Sequence, residues 1–517
     1  MEVHGNRKIH DRFSCEKSDL ENFSEYSLSE YMPGIQRIVR TDANVRIGDK
    51  VFTEDGVNIL GEVIYTVLYI SDPEGVLTSC IFREDFEKHV DFRNISEYDE
   101  NCLFVNAKFL PVSFSAKASG ARKISARSKF AMNCEIYNNC NDIPAIEYAD
   151  DSYDCETEQL SRELTTASMM FFDNARVSLT EEISVDEGMP EISNIISADA
   201  HICIRSVVCS DDHADIAGDM TFNCLYESKK AEDLEYVCME RILPFKTEAD
   251  VQGIDGSWSV MADCTLTSLS ADAVTDNYGE QKNIQVGFSG DIYISAFKNN
   301  NRTVYTDIYS TECGIEPLMC SVKNYYLMSV YREQLNFEDK VRFDLRGISD
   351  IVSSTLKIGF GTPEVSDGAV VIPAKGTLSI LGTKENGTVE AQVSPVNIKI
   401  RADGIPLNIA SSKIKWINAC SLCRYECVPA GGDLMLYLTV NCNLAALSEE
   451  TVEAVCGYEK TETRDKKGTC GFTLYYPSEG ESVWSVAKSH AVSCERLRAE
   501  NGIDGDRFDG KKAVILH

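Results

Sequence analysis

The stretch Gly61-Glu62-Val63-Ile64-Tyr65-Thr66-Val67-Leu68-Tyr69 decides the fold. Its β-branched and aromatic residues alternate with period two, the mark of a half-buried strand rather than a helix. The stretch has a copy: 157 residues later Gly218 opens a second run that ends on Leu225-Tyr226, as the first ends on Leu68-Tyr69. Upstream, Met32-Pro33-Gly34-Ile35 returns at the same spacing as Met189-Pro190-Glu191-Ile192. Ser27 and Ser184, Asp42 and Asp199, Ala43 and Ala200, and Asp55 and Asp212 keep that offset without a gap. The chain therefore repeats one module. A third, degenerate copy is expected from Asp350-Ile351, with Gly376-Thr377-Leu378-Ser379-Ile380 as its glycine-led strand and no Leu-Tyr pair.

Between the runs, Asp72-Pro73-Glu74-Gly75, Gly253-Ile254-Asp255-Gly256 and Glu385-Asn386-Gly387 predict hairpin turns, because Gly or Asn supplies the positive φ they need. The expected fold is mainly β: tandem sandwich-like modules over residues 25–160, 182–315 and 342–455, followed by a small α+β domain over 472–517. Thr157 to Phe172 and Pro317 to Phe337 carry no decisive period and fit either a helix or a crossover strand.

The C-terminal stretch changes character. Phe472 to Tyr476 is strand-like, Ser482 is an N-cap ahead of Val483, Val486 and Ala487 at helical spacing, and Ser493 caps a second helix that Gly502 ends. Ala513 to Leu516 closes as a strand, giving the order strand, helix, helix, strand.

Composition narrows the function. The 517 residues suit several domains, and 50 Lys and Arg against 82 Asp and Glu give a net charge of −32, which excludes binding by phosphate neutralisation and so a nucleic-acid partner. Residues 474–517 are nearly neutral, with seven acidic and six basic side chains. Met1 to Leu20 holds charged residues and no apolar core of a secretory signal, and nowhere do about 18 apolar residues follow one another to span a membrane.

The 20 cysteines are scattered singly, which predicts reduced thiols, with late crosslinking as an alternative. Cys420-Ser421-Leu422-Cys423 and Cys427 lack the fourth ligand of a zinc site, and Asp504, Asp506 and Asp509 read as a solvated acidic loop. No metal, cofactor or catalytic residue is expected: there is no zinc-binding His pattern, phosphate-cradling loop or nucleophile elbow, and Gly287-Phe288-Ser289-Gly290 reads as a turn between strands.

Two resemblances follow from these residues. Gly480-Glu481-Ser482-Val483-Trp484, Val486-Ala487-Lys488, Asn501-Gly502-Ile503 and the final apolar strand resemble the LysM module, departing from it at Glu481, Val483 and Pro477. The resemblance implies a shallow groove for N-acetylglucosamine-containing glycan, lined by Gly480, Glu481, Ser482 and Val483 on one side and Asn501, Gly502, Ile503 and Asp504 on the other. Against it stands the plainer reading that Ser482 and Gly502 only cap helices and Trp484 covers a small core. The repeats resemble the SPOCS domain of endospore-forming bacteria through Met-Pro-x-Ile-x-x-Ile, the glycine-led Leu-Tyr strand, Phe86 and Phe245, Tyr153, and Asp307-Ile308-Tyr309-Ser310. SPOCS repeats followed by one LysM resemble the SipL-type spore coat morphogenesis family. That implies a non-enzymatic assembly protein kept in the mother cell at the forespore surface, its partner a coat or basement-layer protein, or peptidoglycan. The alternative is a cell-wall peptidoglycan-binding surface protein.

Overall fold

The computed structural model describes residues 3–4, 13–92, 99–138, 157–230, 233–343, 345, 347–405, 413–463, 473–510 and 512–516. After β1 (Val3–His4), unit I comprises β2 (Phe13–Ser27), β3 (Gly34–Phe52), β4 (Gly56–Asp72), β5 (Leu77–Asp91), β6 (Leu103–Gly120) and β7 (Lys123–Asn138). The meander β3-β4-β5 forms one antiparallel sheet and β2-β7-β6 the other.

Unit II repeats this order with β8 (Thr157–Ser184), β9 (Asn194–Ser210), β10 (His213–Lys230), β11 (Asp233–Asp250), β12 (Ser259–Val274) and β13 (Asn283–Ser310), in sheets β9-β10-β11 and β8-β13-β12. Unit III has β14 (Cys313–Val341), β15 (Asp350–Phe360), β16 (Glu364–Ser366), β17 (Ala369–Thr383), β18 (Val389–Ala402), β19 (Ile414–Asn418), β20 (Ser421–Ala430) and β21 (Asp433–Thr463). Both β15 and β16 lie along β17, like one strand interrupted at Gly361-Thr362-Pro363, and β19 and β20 lie in the same way along β21. Proline cannot donate to a ladder, so a break there is expected. Allowing for the two breaks, one strand order occurs three times.

Alternation makes each core. Along β7, Ile124, Ala126, Phe130, Met132, Cys134 and Ile136 are buried while their neighbours are more exposed, and the facing sheet supplies Val63, Tyr65, Val67 and Tyr69. The repeated motif residues explain one another. Gly61 lies opposite Phe86 and Gly218 opposite Phe245 in the ladders, and a Cβ on either glycine would fall 2.9 Å or less from the phenyl ring. The Tyr69 hydroxyl donates to the carbonyl of Pro33 at 3.3 Å, and Tyr226 to that of Pro190 at 3.4 Å. The Leu-Tyr strand thus holds the Met-Pro opening of its own unit.

The three units close into a ring: β5 packs on β9, β11 on β15, and β18 on β3. The leucine of the Leu-Tyr pair serves this contact, since Leu68 and Leu225 meet Leu381 of unit III in one apolar cluster. Polar contacts join the same seams: the Leu77 amide donates to the Tyr236 hydroxyl at 3.1 Å and Arg37 donates to the Val389 carbonyl. Beyond the sandwiches, β8 with β13 and β14 with β21 continue as two long ribbons that pack together through Leu164, Val304, Val322, Val452 and Ala454. β1 adds to the second ribbon, with Val3 opposite Glu459. The last unit is β22 (Thr473–Tyr475), α1 (Val483–His490), α2 (Cys494–Asn501) and β23 (Val514–Leu516), the expected order of strands and helices.

Several expectations change. Asp72–Gly75 and Glu385–Gly387 join paired strands, but Gly253–Gly256 carries the chain from one sheet of unit II to the other, because β11 and β12 belong to different sheets. Gly287–Gly290 lies inside β13, where the glycines face Ser270 and Cys264 of the neighbouring strand. Residues 157–172 and 317–337 are strand, and β2, β8 and β14 start before residues 25, 182 and 342. Cys203 and Cys423 form a disulfide between units II and III, with Cα atoms 5.1 Å apart, so these two are not the reduced thiols that scattered spacing suggested. Chain folding brings together sulfurs 220 residues apart, which spacing cannot register. Tyr153 lies outside the described residues. No helix among the described residues is long and apolar enough to cross a membrane.

Candidate functional site

Two places concentrate polar chemistry: the C-terminal βααβ unit and the junction at the centre of the ring.

In the C-terminal unit Ser482 is the N-cap of α1, its hydroxyl accepting from the Ser485 amide, and Gly502 ends α2 in the left-handed conformation with φ 62°. Residues 480–483 and 506–508 run side by side. The Gly480 amide donates to the Phe508 carbonyl, the Phe508 amide to that of Glu481, and the Val483 amide to that of Asp506, each at 2.8–2.9 Å. Arg507 donates to the Gly480 carbonyl at 2.8 Å. The Glu481 carboxylate accepts from Tyr475 and from the Ser478 amide.

Asn501 is a staple: its side chain accepts from the Ile515 amide at 2.6 Å and donates to the carbonyls of Ile515 and Leu497. Val483 is fully buried in the small core, and Ile503 packs against that core. Gly502 and Asp504 are exposed, and Gly480, Glu481 and Ser482 are half-buried. The turn before α1 and the loop after α2 are therefore neighbours. Their exposed parts are Gly502, Asp504 and the flanks of Gly480–Ser482, while Val483 and Asn501 hold the loops in place.

Trp484 packs against the small core, as the plainer reading expects, and makes a further contact that neither reading anticipated. Its indole N–H donates to Asp307 Oδ2 at 2.8 Å, and Lys488 of the same helix pairs with Asp307 Oδ1 at 2.5 Å. Beside it Tyr309 stands edge-on to Trp484, with centroids 4.9 Å apart, and donates its hydroxyl to the Val492 carbonyl at 2.7 Å. Tyr309 is buried as part of the small unit's own core. Burial works against the Asp307 charge, but the Lys488 and Trp484 bonds outweigh it and hold the carboxyl below its usual range. The C-terminal unit is thus fixed to the ribbon of unit II by one face of α1.

At the ring junction β3, β9 and β15 bring Asp42, Asp199 and Ser353 to equivalent positions, five residues after the repeated glycine by cross-strand register. Arg40 Nε lies 2.8 Å from Asp42, and Lys357 Nζ lies 2.5 Å from Asp199. A cavity of about 50 Å³ among these residues adjoins a larger one of about 460 Å³, walled by strands of all three units. Into the larger one project His201 and the Lys108–Asp263 pair, 2.7 Å long. Burial lowers His201 to about 4, so the ring is neutral, whereas the Asp263 carboxylate overrides burial and keeps the Lys108 ammonium above its usual value.

Cys423 is taken by its disulfide, whereas Cys420 is a free, buried thiol beside Cys442, so the two cysteines of the Cys-x-x-Cys pair have different partners. Among the described residues the one grouping with three possible ligands is His213, Asp215 and Glu248, on the outer surface of unit II.

Comparison with known proteins adds one finding. The family model for the SipL, SPOCS domain matches residues 34–115 and 191–274, which run from the start of β3 into β6 and from just before β9 to the end of β12. No curated protein matches the chain.

Proposed function

We propose, from the SipL SPOCS-domain match in two of the three sandwiches, that the chain is a sporulation protein and a non-enzymatic assembly protein of the endospore envelope. The three β units make the protein contacts, and the C-terminal unit, read as a LysM module, docks on a coat or basement-layer protein or on N-acetylglucosamine-containing peptidoglycan. One observation carries the reading: the C-terminal unit is pinned through Trp484 and Lys488 on α1, while Gly502, Asp504 and the neighbouring turn stay open. A module presented in a fixed orientation on a ring of interaction domains suits a scaffold.

A fluorescent fusion of the full chain in sporulating cells tests this. A ring around the forespore is expected, and diffuse fluorescence or decoration of the vegetative wall would reject it. Retention of the full chain on insoluble peptidoglycan, lost in Gly502→Trp, would assign the groove to glycan. Capture of a coat protein by the wild type and not by that variant would assign it to protein.

The docking contact has its own signature. Asp307 has a depressed carboxyl pKa, so its contribution is present above about pH 4 and lost as the pH falls below that. Trp484 emission should shift to the red on acidification and in Asp307→Ala at neutral pH. Emission that follows neither change would mean that the indole bond does not hold the unit.

A further inference from the structure

The ring junction breaks its own symmetry in a way that packing does not require. Three equivalent strands bring Asp42, Asp199 and Ser353 together: two carboxylates, each facing one cation, and a third position with no carboxylate. Around the small cavity buried donors are left over. The Arg40 side chain is 4% exposed, and its Nη1 has no hydrogen-bond partner; the Ser353 hydroxyl, in a residue 7% exposed, has none either. Both line the cavity of about 50 Å³. Buried donors of this kind are costly when unpaired, more so on a cation.

The position of Arg40 is specific to unit I. By the same register unit II has Ser197 at this position and unit III has Asp350, since a register shift separates Ile351 from Ser353. Asp42 lies beside the Nε edge as an ion-pair partner without an aligned hydrogen bond, so Nε and Nη1 both lack a hydrogen-bond acceptor and the planar fork is open to an oxyanion at Nη1. The adjoining cavity of about 460 Å³ is bounded by Ile64, Ile202, Leu356 and Ile358, among other residues, so the space beyond the donors is partly apolar.

We propose that the ring junction binds a small carboxylate with an apolar tail. The carboxylate sits between Arg40 Nη1 and the Ser353 hydroxyl, where the third aspartate of a symmetric ring would stand, and the tail enters the larger cavity. A ligand so placed touches all three units and stabilises the closed ring, because only the closed ring assembles the site. The site is independent of the C-terminal groove.

Hexanoate is a suitable probe, with hexanol and sodium chloride at matched ionic strength as controls, on the full chain. Hexanoate should raise the melting temperature and give saturable calorimetric binding, while neither control does. Ser353→Ala should weaken hexanoate binding about tenfold through loss of a hydrogen bond to a charged acceptor. Ser353→Asp restores the missing carboxylate: it should abolish the hexanoate response and itself raise the melting temperature by on the order of 2–4 °C. The proposal is overturned if hexanoate acts no differently from chloride on the wild type, or if Ser353→Asp lowers the melting temperature and leaves hexanoate binding intact. Either result would mean that water alone satisfies Arg40 and Ser353.

Discussion

Units I and II carry a phenyl ring on a strand glycine and a tyrosine bound to the opening proline, whereas unit III has neither and keeps the same strand order. At the ladder position of Phe86 and Phe245 it has Val396, and at the position of Tyr69 and Tyr226, eight residues past the glycine, it has Lys384. Its core is nonetheless closed, with Leu378, Ile380, Leu434, Leu436 and Val440 fully buried. The shared part is the glycine itself. A Cβ would lie 2.3 Å from the Arg46 carbonyl at Gly61, 2.6 Å from that of Cys203 at Gly218 and 1.9 Å from that of Lys357 at Gly376. Close approach of the neighbouring backbone therefore demands the glycine, and the aromatic contact is an addition made in two of the units.

The largest test of this contrast is the ring. Phe245 is 3% exposed, and Phe245→Ala should cost about 3–5 kcal/mol, as should Phe86→Ala. Val396→Ala in unit III loses two methyl groups and should cost only roughly 1.5 kcal/mol. Hydrogen exchange resolved by unit is the measurement; equal losses in all three would show that the phenyl contributes no more than any core side chain. Next in size is the glycine. Gly376→Ala should cost about 1–3 kcal/mol by forcing the Lys357 backbone away, although no aromatic ring lies across the ladder from it. Denaturant melts of Gly61→Ala and Gly376→Ala decide the point, and a harmless Gly376→Ala would return the glycine's role to the phenyl contact.

The same contrast explains what could be read in the chain. Alternation exposed the meander strands because most of their length has one face on a core and one outside it, although Val67 to Ile70 of β4 are buried on both faces at the ring seam. It failed at residues 157–172 because Thr166, Ala167, Ser168 and Met169 are all buried in succession, so no period survives where both faces of the β8 ribbon are covered. Caps and the left-handed Gly502 made the C-terminal helices visible, since those signals are local. The docking of that unit was not visible: Trp484 and Asp307 lie 177 residues apart, and nothing in either neighbourhood marks the pair. Ring closure was hidden for the same reason, although Leu68 and Leu225 were part of the repeated motif that resembled the SPOCS domain.

The smallest effect concerns the tyrosines. Tyr69 and Tyr226 are fully buried rings whose hydroxyls reach the Pro33 and Pro190 carbonyls at 3.3 and 3.4 Å, long for O–H···O bonds. Burial raises both hydroxyl pKa values, Tyr69 to about 12, so neither titrates in the neutral range. Replacing either by Phe keeps the ring and removes only the bond, which should cost about 0.5–1 kcal/mol, the lower part of the range for a neutral pair. Exchange of the Ile35 amide, which donates to the Ala121 carbonyl beside the opening, and of Ile192 in unit II should quicken accordingly. Unchanged exchange would mean that the ring's packing alone holds the Met-Pro segment. The absence of a tyrosine there in unit III would then reflect a different filling of the core rather than a missing anchor.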